Sequence, residues 1–91
     1  AWCLGIGGND QYITKYGTYI DCLTEQYAIE TEFDYKWKEA IGQSLHYAEA
    51  TNKKAAILLI KRKKSNKNYY NELMIVINEY DLPIKVFLID E

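Results

Sequence analysis

The sequence predicts an α/β domain in which helices flank a mixed β-sheet. Polar and apolar residues alternate over residues 28–33, which is typical of a strand. Apolar residues then recur at helical spacing over residues 37–48, and the short apolar run "AAILLI", residues 55–60, indicates a strand buried on both faces. Because a helix between two strands usually joins parallel neighbours, the order predicts parallel pairs beside an antiparallel hairpin.

The first elements lie in the amino-terminal third of the chain. Residues 1–10 end in the turn-rich "GIGGND" and predict the tail of a helix, a pattern that allows the domain to start upstream of Ala1. The stretch "QYITKYGTYIDCL" predicts two short β segments broken around Gly17, the second over residues 18–23. A turn at "TEQY" then leads into the strand at residues 28–33.

The later elements alternate between helix and strand. The first long helix starts at Lys36 and ends near Asn52, and the strand at 55–60 leads into the basic loop "KRKKSNKN". The stretch "YYNELMIVINEY" predicts a second helix, stopped by Pro83, and "IKVFLI" predicts the last strand. With no repeat or linker in 91 residues, we expect a single domain over residues 1–91.

Composition restricts the class of protein. A hydrophobic content of 48% argues against disorder, and no segment approaches the roughly 20 apolar residues that cross a bilayer. No signal for secretion is visible after Ala1, so the cytoplasm is the expected location, with no membrane partner. Cys3 and Cys22 lack metal-ligand spacing, and we expect both to be reduced, with Cys22 buried in a strand.

Positive charge is concentrated in one part of the chain. The formal net charge of −2 argues against an indiscriminate polyanion binder. Most cations nevertheless fall within residues 53–67, namely Lys53, Lys54, Lys61, Arg62, Lys63, Lys64 and Lys67. Such a run predicts either a solvated loop or a surface for a phosphate-bearing substrate.

Carboxylates are crowded onto the predicted hairpin. If the turn is centred on residues 25–26, then Cys22 pairs with Ile29, and Asp21 lies opposite Glu30. Directly opposed side chains have Cβ atoms about 4.5–5.5 Å apart, so two anions there need a neutralising group. Glu32 faces the same way as Glu30, and we expect the three carboxylates to converge.

Oxygen ligands in this number suit Mg²⁺ or Mn²⁺ better than Zn²⁺. The alternative is an ordinary solvated strand face, with Ile29, Thr31 and Phe33 directed into the core. Both interpretations agree on which residues share a face, and they differ on whether a metal binds.

The following helix places further polar residues in line. Lys36, Ala40, Gln43 and Tyr47 share one face, and Lys36 is close enough to the strand end to reach back to the carboxylates. Ordinary helix surface is the alternative for Lys36 and Gln43, and a half-buried edge position for Tyr47. Asp34 is expected to cap the helix, and His46, the single histidine, to be structural.

These residues carry a resemblance to a known superfamily. An Asp on one hairpin strand, a Glu on the next and a helix with "QSLHY" resemble the PD-(D/E)xK nucleases, which share the restriction-endonuclease-like fold. The similarity spans about residues 17–60, and "GTYIDCLTEQYAIETEF" followed by "KWKEAIGQSLHYA" is similar to small stand-alone bacterial or phage members. The resemblance implies an αβββαβαβ core.

The resemblance also implies roles for individual residues. Asp21 and Glu30 stand at the positions of the two metal ligands, and Glu32 stands where the motif usually has lysine. Some members move that lysine to the neighbouring helix, where Lys36 is the candidate, and Gln43 would help to hold substrate. The acidic helix residue that often precedes the hairpin is not visible before Asp10.

The implied activity is Mg²⁺- or Mn²⁺-dependent hydrolysis of DNA by an endonuclease. The basic loop would contact the phosphate backbone through Lys61, Arg62, Lys63, Lys64 and Lys67. The alternatives are an inactive domain that binds nucleic acid or protein, and a homodimeric nuclease acting on branched DNA. The choice between DNA and RNA stays open at the level of sequence.

Overall fold

The computed structural model describes residues 2–91 and confirms the predicted α/β fold with a mixed sheet flanked by helices. A 3-10 turn, Asp34–Lys36, joins the fourth strand to the second helix. In chain order the elements are α1 (Trp2–Gly5), β1 (Tyr12–Ile13), β2 (Tyr19–Ile20), β3 (Cys22–Leu23), β4 (Tyr27–Phe33), α2 (Trp37–Thr51), β5 (Lys54–Lys61), α3 (Tyr69–Glu79) and β6 (Ile84–Asp90).

The main sheet has the strand order β3-β4-β5-β6. β3 pairs antiparallel with β4, whereas β5 pairs parallel with both β4 and β6, as helical crossovers require. β1 and β2 form a separate two-stranded hairpin. The single strand predicted over residues 18–23 is therefore two strands, divided at Asp21.

Local sequence sets the helix ends. α2 is followed by Asn52 in the left-handed conformation (φ 57°), which an asparagine adopts more readily than most residues. α3 begins after Asn68, whose side chain accepts a hydrogen bond from the Asn71 amide at 3.0 Å. Both ends lie within a few residues of the positions that the sequence predicts.

Both long helices cover the same face of the sheet. Trp37 and Ala40 of α2 and Leu73 of α3 pack against the side chains of β5 that point to this face, which include Ile57 and Leu59. α1 covers the opposite face, where Trp2 packs edge-on against Phe87 of β6 with the ring centres 5.5 Å apart. The face of β4 that carries Ala28 and Glu30 therefore lies beneath α2.

A disulfide joins α1 to β3, and the expectation of two reduced cysteines is wrong. Cys3 and Cys22 are bonded, with Cα atoms 5.6 Å apart, and both are buried. Gly8 lies so close to the bridge that a Cβ added at this position would come within 2.7 Å of the Cys3 sulfur. Spacing along the chain could not reveal this pair, since the helix reaches β3 only through tertiary packing. Disulfides form mainly in oxidising compartments, so the bridge does not support the expected cytoplasmic location, which stays a prediction.

No helix within residues 2–91 is long and apolar enough to span a membrane.

Candidate carboxylate pair and basic loop

The hairpin register brings Asp21 beside β4. Cys22 pairs with Ile29 and Leu23 with Ala28, as the sequence predicts from a turn at residues 25–26. β3 begins only at Cys22, so the β4 edge beyond Ile29 lacks a partner strand there. The Asp21 carboxylate takes the place of that strand and accepts a hydrogen bond from the Thr31 amide at 2.9 Å.

Glu30 is the buried member of the pair. Its side chain lies on the helix-covered face with only 2% of the residue exposed, although the sequence pattern places it on an accessible face. Its Oε2 atom is buried without a hydrogen-bond partner. Burial, a hydrogen bond with Asp21 and the negative charges of Asp21 and Glu32 raise the pKa of Glu30 to about 9. Without a cation, Glu30 therefore holds a proton at neutral pH.

Glu32 does not complete a three-carboxylate cluster. Its Oε1 atom accepts a hydrogen bond from the amide of the next residue, Phe33, at 3.2 Å. Within residues 2–91 no group of three or more His, Cys, Asp and Glu side chains is arranged to hold a metal ion. The predicted convergence of Asp21, Glu30 and Glu32 is thus reduced to a pair, with Glu32 near enough to act on Glu30 through its charge.

Tyr47 of α2 lies close enough to the carboxylates for their charges to act on it, although the sequence analysis gave it no role in the site. The residue is only 6% exposed and packs against Ile20 and Ala28. Burial and the charges of the three carboxylates raise the pKa of Tyr47 to about 12, so its phenol stays protonated and can donate a hydrogen bond. The four-residue spacing between Gln43 and Tyr47 was the available signal.

The two helix residues predicted to act on substrate lie further out. Gln43 is exposed on α2, one turn before Tyr47. Lys36 ends the 3-10 turn, and its ammonium lies 5.8 Å from the centre of the Tyr35 ring. The structure thus directs Lys36 to Tyr35, at the carboxyl end of β4.

Asp34 is an anchor for the basic loop, and its predicted role as the α2 cap is wrong. Asp34 is buried, and its carboxylate accepts hydrogen bonds from the Ser65 hydroxyl and, at 3.2 Å, from Arg62 Nε. Burial alone would raise the pKa of Asp34, but these hydrogen bonds and the Arg62 charge outweigh burial and lower it. The partner residues lie about 30 positions away, which local sequence cannot indicate.

The positive run is divided between two ends of the sheet. Lys53 and Lys54 lie at the start of β5, where Lys53 Nζ donates to the Glu25 carbonyl at 2.8 Å. The other cations begin with Lys61, the last residue of β5, and we call residues 61–67 the basic loop. Within it, Lys61, Lys63 and Lys64 are exposed, whereas Lys67 pairs with Glu72 at 3.3 Å.

His46 is exposed and contacts the β1–β2 hairpin. Its Nε2 atom lies 3.3 Å from the Thr18 hydroxyl, and its ring lies 5.7 Å from that of Tyr16. These contacts join α2 to the hairpin and agree with the structural role predicted for His46.

Together these residues define a small α/β domain with an acidic pair at one sheet edge, of which Glu30 is buried, and a basic loop at the carboxyl end of its parallel strands. The chain is similar to two proteins of Acanthamoeba polyphaga mimivirus, each named "Putative KilA-N domain-containing protein". One is 36% identical over 74 residues, which are 81% of this chain and 20% of that protein. The other is 37% identical over 82 residues, 89% of this chain and 32% of that protein.

The chain thus spans between a fifth and a third of the length of these relatives. No family model matches the sequence, and no solved structure matches it significantly.

Proposed function

We propose that this chain is a DNA-binding domain that contacts the phosphate backbone through its basic loop. The observation that carries the proposal is the placement of exposed Lys61, Lys63 and Lys64 around Arg62, whose guanidinium is fixed by buried Asp34. A fixed guanidinium beside exposed ammonium groups suits a row of phosphates. Similarity to KilA-N domain-containing proteins supports the proposal, because the KilA-N family is a DNA-binding family.

The overall charge of −2 does not oppose this function, because the exposed Lys61, Lys63 and Lys64 are clustered in the loop, although Asp34 and Glu72 pair with two of its other cations. The acidic residues of the hairpin lie at the β3 edge, whereas the basic loop follows the end of β5. Phosphate contacts of this kind give binding that tolerates many sequences. The affinity decreases as the salt concentration rises, because cations compete with the protein for the phosphates.

A salt titration of DNA affinity tests the proposal. Binding of a fluorescent duplex is measured by anisotropy in EDTA for wild type and for Lys63→Gln combined with Lys64→Gln. We expect the double variant to bind less tightly and to lower the slope of log Kd against log salt by about two, since each phosphate contact contributes about 0.9.

The matched control combines Lys54→Gln with Lys85→Gln, two exposed lysines at the opposite end of the parallel strands. It should bind as wild type does. Equal losses in the two double variants would mean that total charge, rather than the loop, governs binding.

A second candidate function is metal-dependent hydrolysis of the bound DNA at Asp21 and Glu30. A specific observation favours it, namely the buried and unpartnered Oε2 of Glu30 beside the Asp21 carboxylate. Proteins often bind Mg²⁺ through one or two carboxylates together with substrate phosphate and water, so a pair is sufficient. A divalent cation would supply Lewis acidity at the scissile phosphate and lower the pKa of a bound water.

In this second candidate, Asp21 and Glu30 would hold the ion, and Glu32 would add negative charge beside them. The protonated phenol of Tyr47 would donate to an oxygen bound beside the pair, and the exposed Gln43, one turn earlier on α2, would contact the DNA strand. Lys36 would neutralise the phosphate backbone near the end of β4. The roles of the three carboxylates and Tyr47 rest on their proximity to one another. The roles of Gln43 and Lys36, which lie further out, rest on the resemblance to the nucleases.

A cleavage assay separates the two functions. Plasmid, single-stranded and branched DNA are incubated with the protein in Mg²⁺, Mn²⁺ or EDTA. A nuclease should cleave with either metal, and EDTA and Glu30→Gln should abolish cleavage, whereas Glu39→Gln, an exposed change in the first turn of α2, should not. DNA binding without cleavage would instead identify an inactive binding module.

A further inference from the structure

An exposed stack of cation and aromatic rings lies at the carboxyl end of β4. The Arg62 guanidinium carbon is 4.2 Å from the centre of the Tyr35 ring. The Phe33 and Tyr35 rings are nearly parallel, with planes 18° apart and centres separated by 6.4 Å. We call Phe33, Tyr35 and Arg62 the stacking platform.

Buried Asp34 holds the Arg62 side chain of the stacking platform in place. Arg62 Nε donates to Asp34, which is buried and also accepts from the Ser65 hydroxyl. Arg62 therefore cannot swing away from Tyr35 without losing a charge-assisted hydrogen bond. A fixed aromatic surface loses little conformational entropy when a ligand binds to it.

The platform rings are exposed, although large aromatic side chains usually gain stability from burial. Phe33 is 40% exposed and Tyr35 is 45% exposed. Two cations, the Arg62 guanidinium and the Lys36 ammonium, lie over the Tyr35 ring, and Lys61 and Lys63 flank Arg62 in the chain. Flat aromatic faces set among cations are complementary to a ligand that carries both planar rings and negative charge.

We propose that the stacking platform holds unpaired bases of a single-stranded nucleic acid whose phosphates contact the neighbouring lysines. The proposal rests on the proposed nucleic-acid-binding function and deepens it by naming the substrate class. Bases within a duplex have their faces covered by neighbouring pairs, whereas the bases of a single strand can stack on a side chain. Phe33 is the last residue of β4, the strand that also carries Glu30 and Glu32, so the platform adjoins these carboxylates.

Affinity measurements in EDTA test the platform without any contribution from cleavage. Fluorescent oligothymidylate, oligouridylate and a blunt duplex are titrated with wild type, Phe33→Ala, Tyr35→Ala and the control Tyr80→Ala. Stacking contributes about 1–3 kcal/mol per base, so each platform change should weaken single-strand binding by about fivefold or more and alter duplex binding less than twofold. Tyr80 is 72% exposed and lies beyond α3, so Tyr80→Ala should bind as wild type does.

A second measurement needs no variant. A single strand containing 2-aminopurine loses fluorescence when that base stacks on an aromatic ring, and wild type should therefore quench it. Binding of all nucleic acids without quenching, and unchanged by Phe33→Ala and Tyr35→Ala, would overturn the platform and leave the proposed DNA binding intact. If wild type binds no nucleic acid, both proposals fail. If Phe33→Ala and Tyr35→Ala weaken the binding of oligothymidylate and oligouridylate equally, the result would support recognition of base faces. If they weaken the binding of only one strand, that strand is identified as the ligand.

Discussion

The protonation of Glu30 is coupled to folding. Its pKa is raised from an ordinary value of 4.5 to about 9, so between these values the folded chain binds a proton that the unfolded chain releases. In metal-free buffer we therefore expect the free energy of unfolding to decrease as pH rises from about 5 to 9. One such group contributes a slope of at most about 1.4 kcal/mol per pH unit.

Urea unfolding at several pH values checks this expectation with Glu30→Gln and the exposed control Glu39→Gln. The first substitution should flatten the pH dependence over this range, because an amide does not titrate, and the control should retain the wild-type slope. An unchanged slope in Glu30→Gln would mean that another group governs the dependence.

Asp34 is expected to make a large contribution to stability through the basic loop. Asp34→Asn removes the charge that holds Arg62 and should lower the free energy of unfolding by about 1–3 kcal/mol, the range for a buried charge-assisted hydrogen bond. Glu72→Gln is the matched control, because it breaks the more exposed pair with Lys67 and should cost less than about 1 kcal/mol. Chemical denaturation would measure both, and similar losses would contradict an anchoring role for Asp34.

Individual residues were predictable where strand periodicity governs them. The two-residue turn and the alternation of β4 placed Asp21 beside Glu30 in the sequence analysis, and the hairpin register agrees. The burial of Glu30 was not predictable, because it depends on how α2 lies across the sheet. The partners of Asp34 were missed because Arg62 and Ser65 follow β5 in the chain and come near Asp34 only in the folded structure.

At the scale of elements, the disulfide ties the short helix α1 to β3. A four-residue helix is too short to be stable alone, so the covalent link and the packing of Trp2 hold it in place. The 19-residue separation between Cys3 and Cys22 predicts stabilisation of about 3 kcal/mol, mainly through the unfolded chain. Because Cys22 directly follows Asp21, the link also supports the strand that positions the acidic pair.

Thermal unfolding with and without dithiothreitol tests this link. Reduction should lower the Tm of wild type to that of Cys3→Ser combined with Cys22→Ser, and it should not change the Tm of the double variant. A wild-type Tm that is insensitive to full reduction would show that α1 and β3 are held by packing alone.

The helices and central strands were predictable because their hydrophobic periods are long and clear. α2, α3, β5 and β6 lie where the spacing predicts them, whereas the short strands near Gly17 are divided differently. Two-residue strands carry too few alternating positions to fix their bounds. Their arrangement depends on Asp21, which bonds to Thr31 and interrupts the predicted strand.

At the scale of the whole molecule, the parallel strands organise the proposed function. β4 and β5 run parallel, so Phe33 and the basic loop meet at one end of the sheet, with the acidic pair along the β4 edge. Lys54 and Lys85 lie at the opposite end. This polarity predicts that nucleic acid binds one end of the sheet, although positive charge occurs at both.

Backbone amide NMR shifts recorded while DNA is added to the metal-free protein test this account most directly. We predict that the changes cluster at residues 33–36 and 61–67 and fall off toward residues 53–54 and 82–85 at the opposite end. Changes confined to the opposite end, or no changes with DNA in excess, would contradict the assignment of the basic loop as the DNA-binding surface.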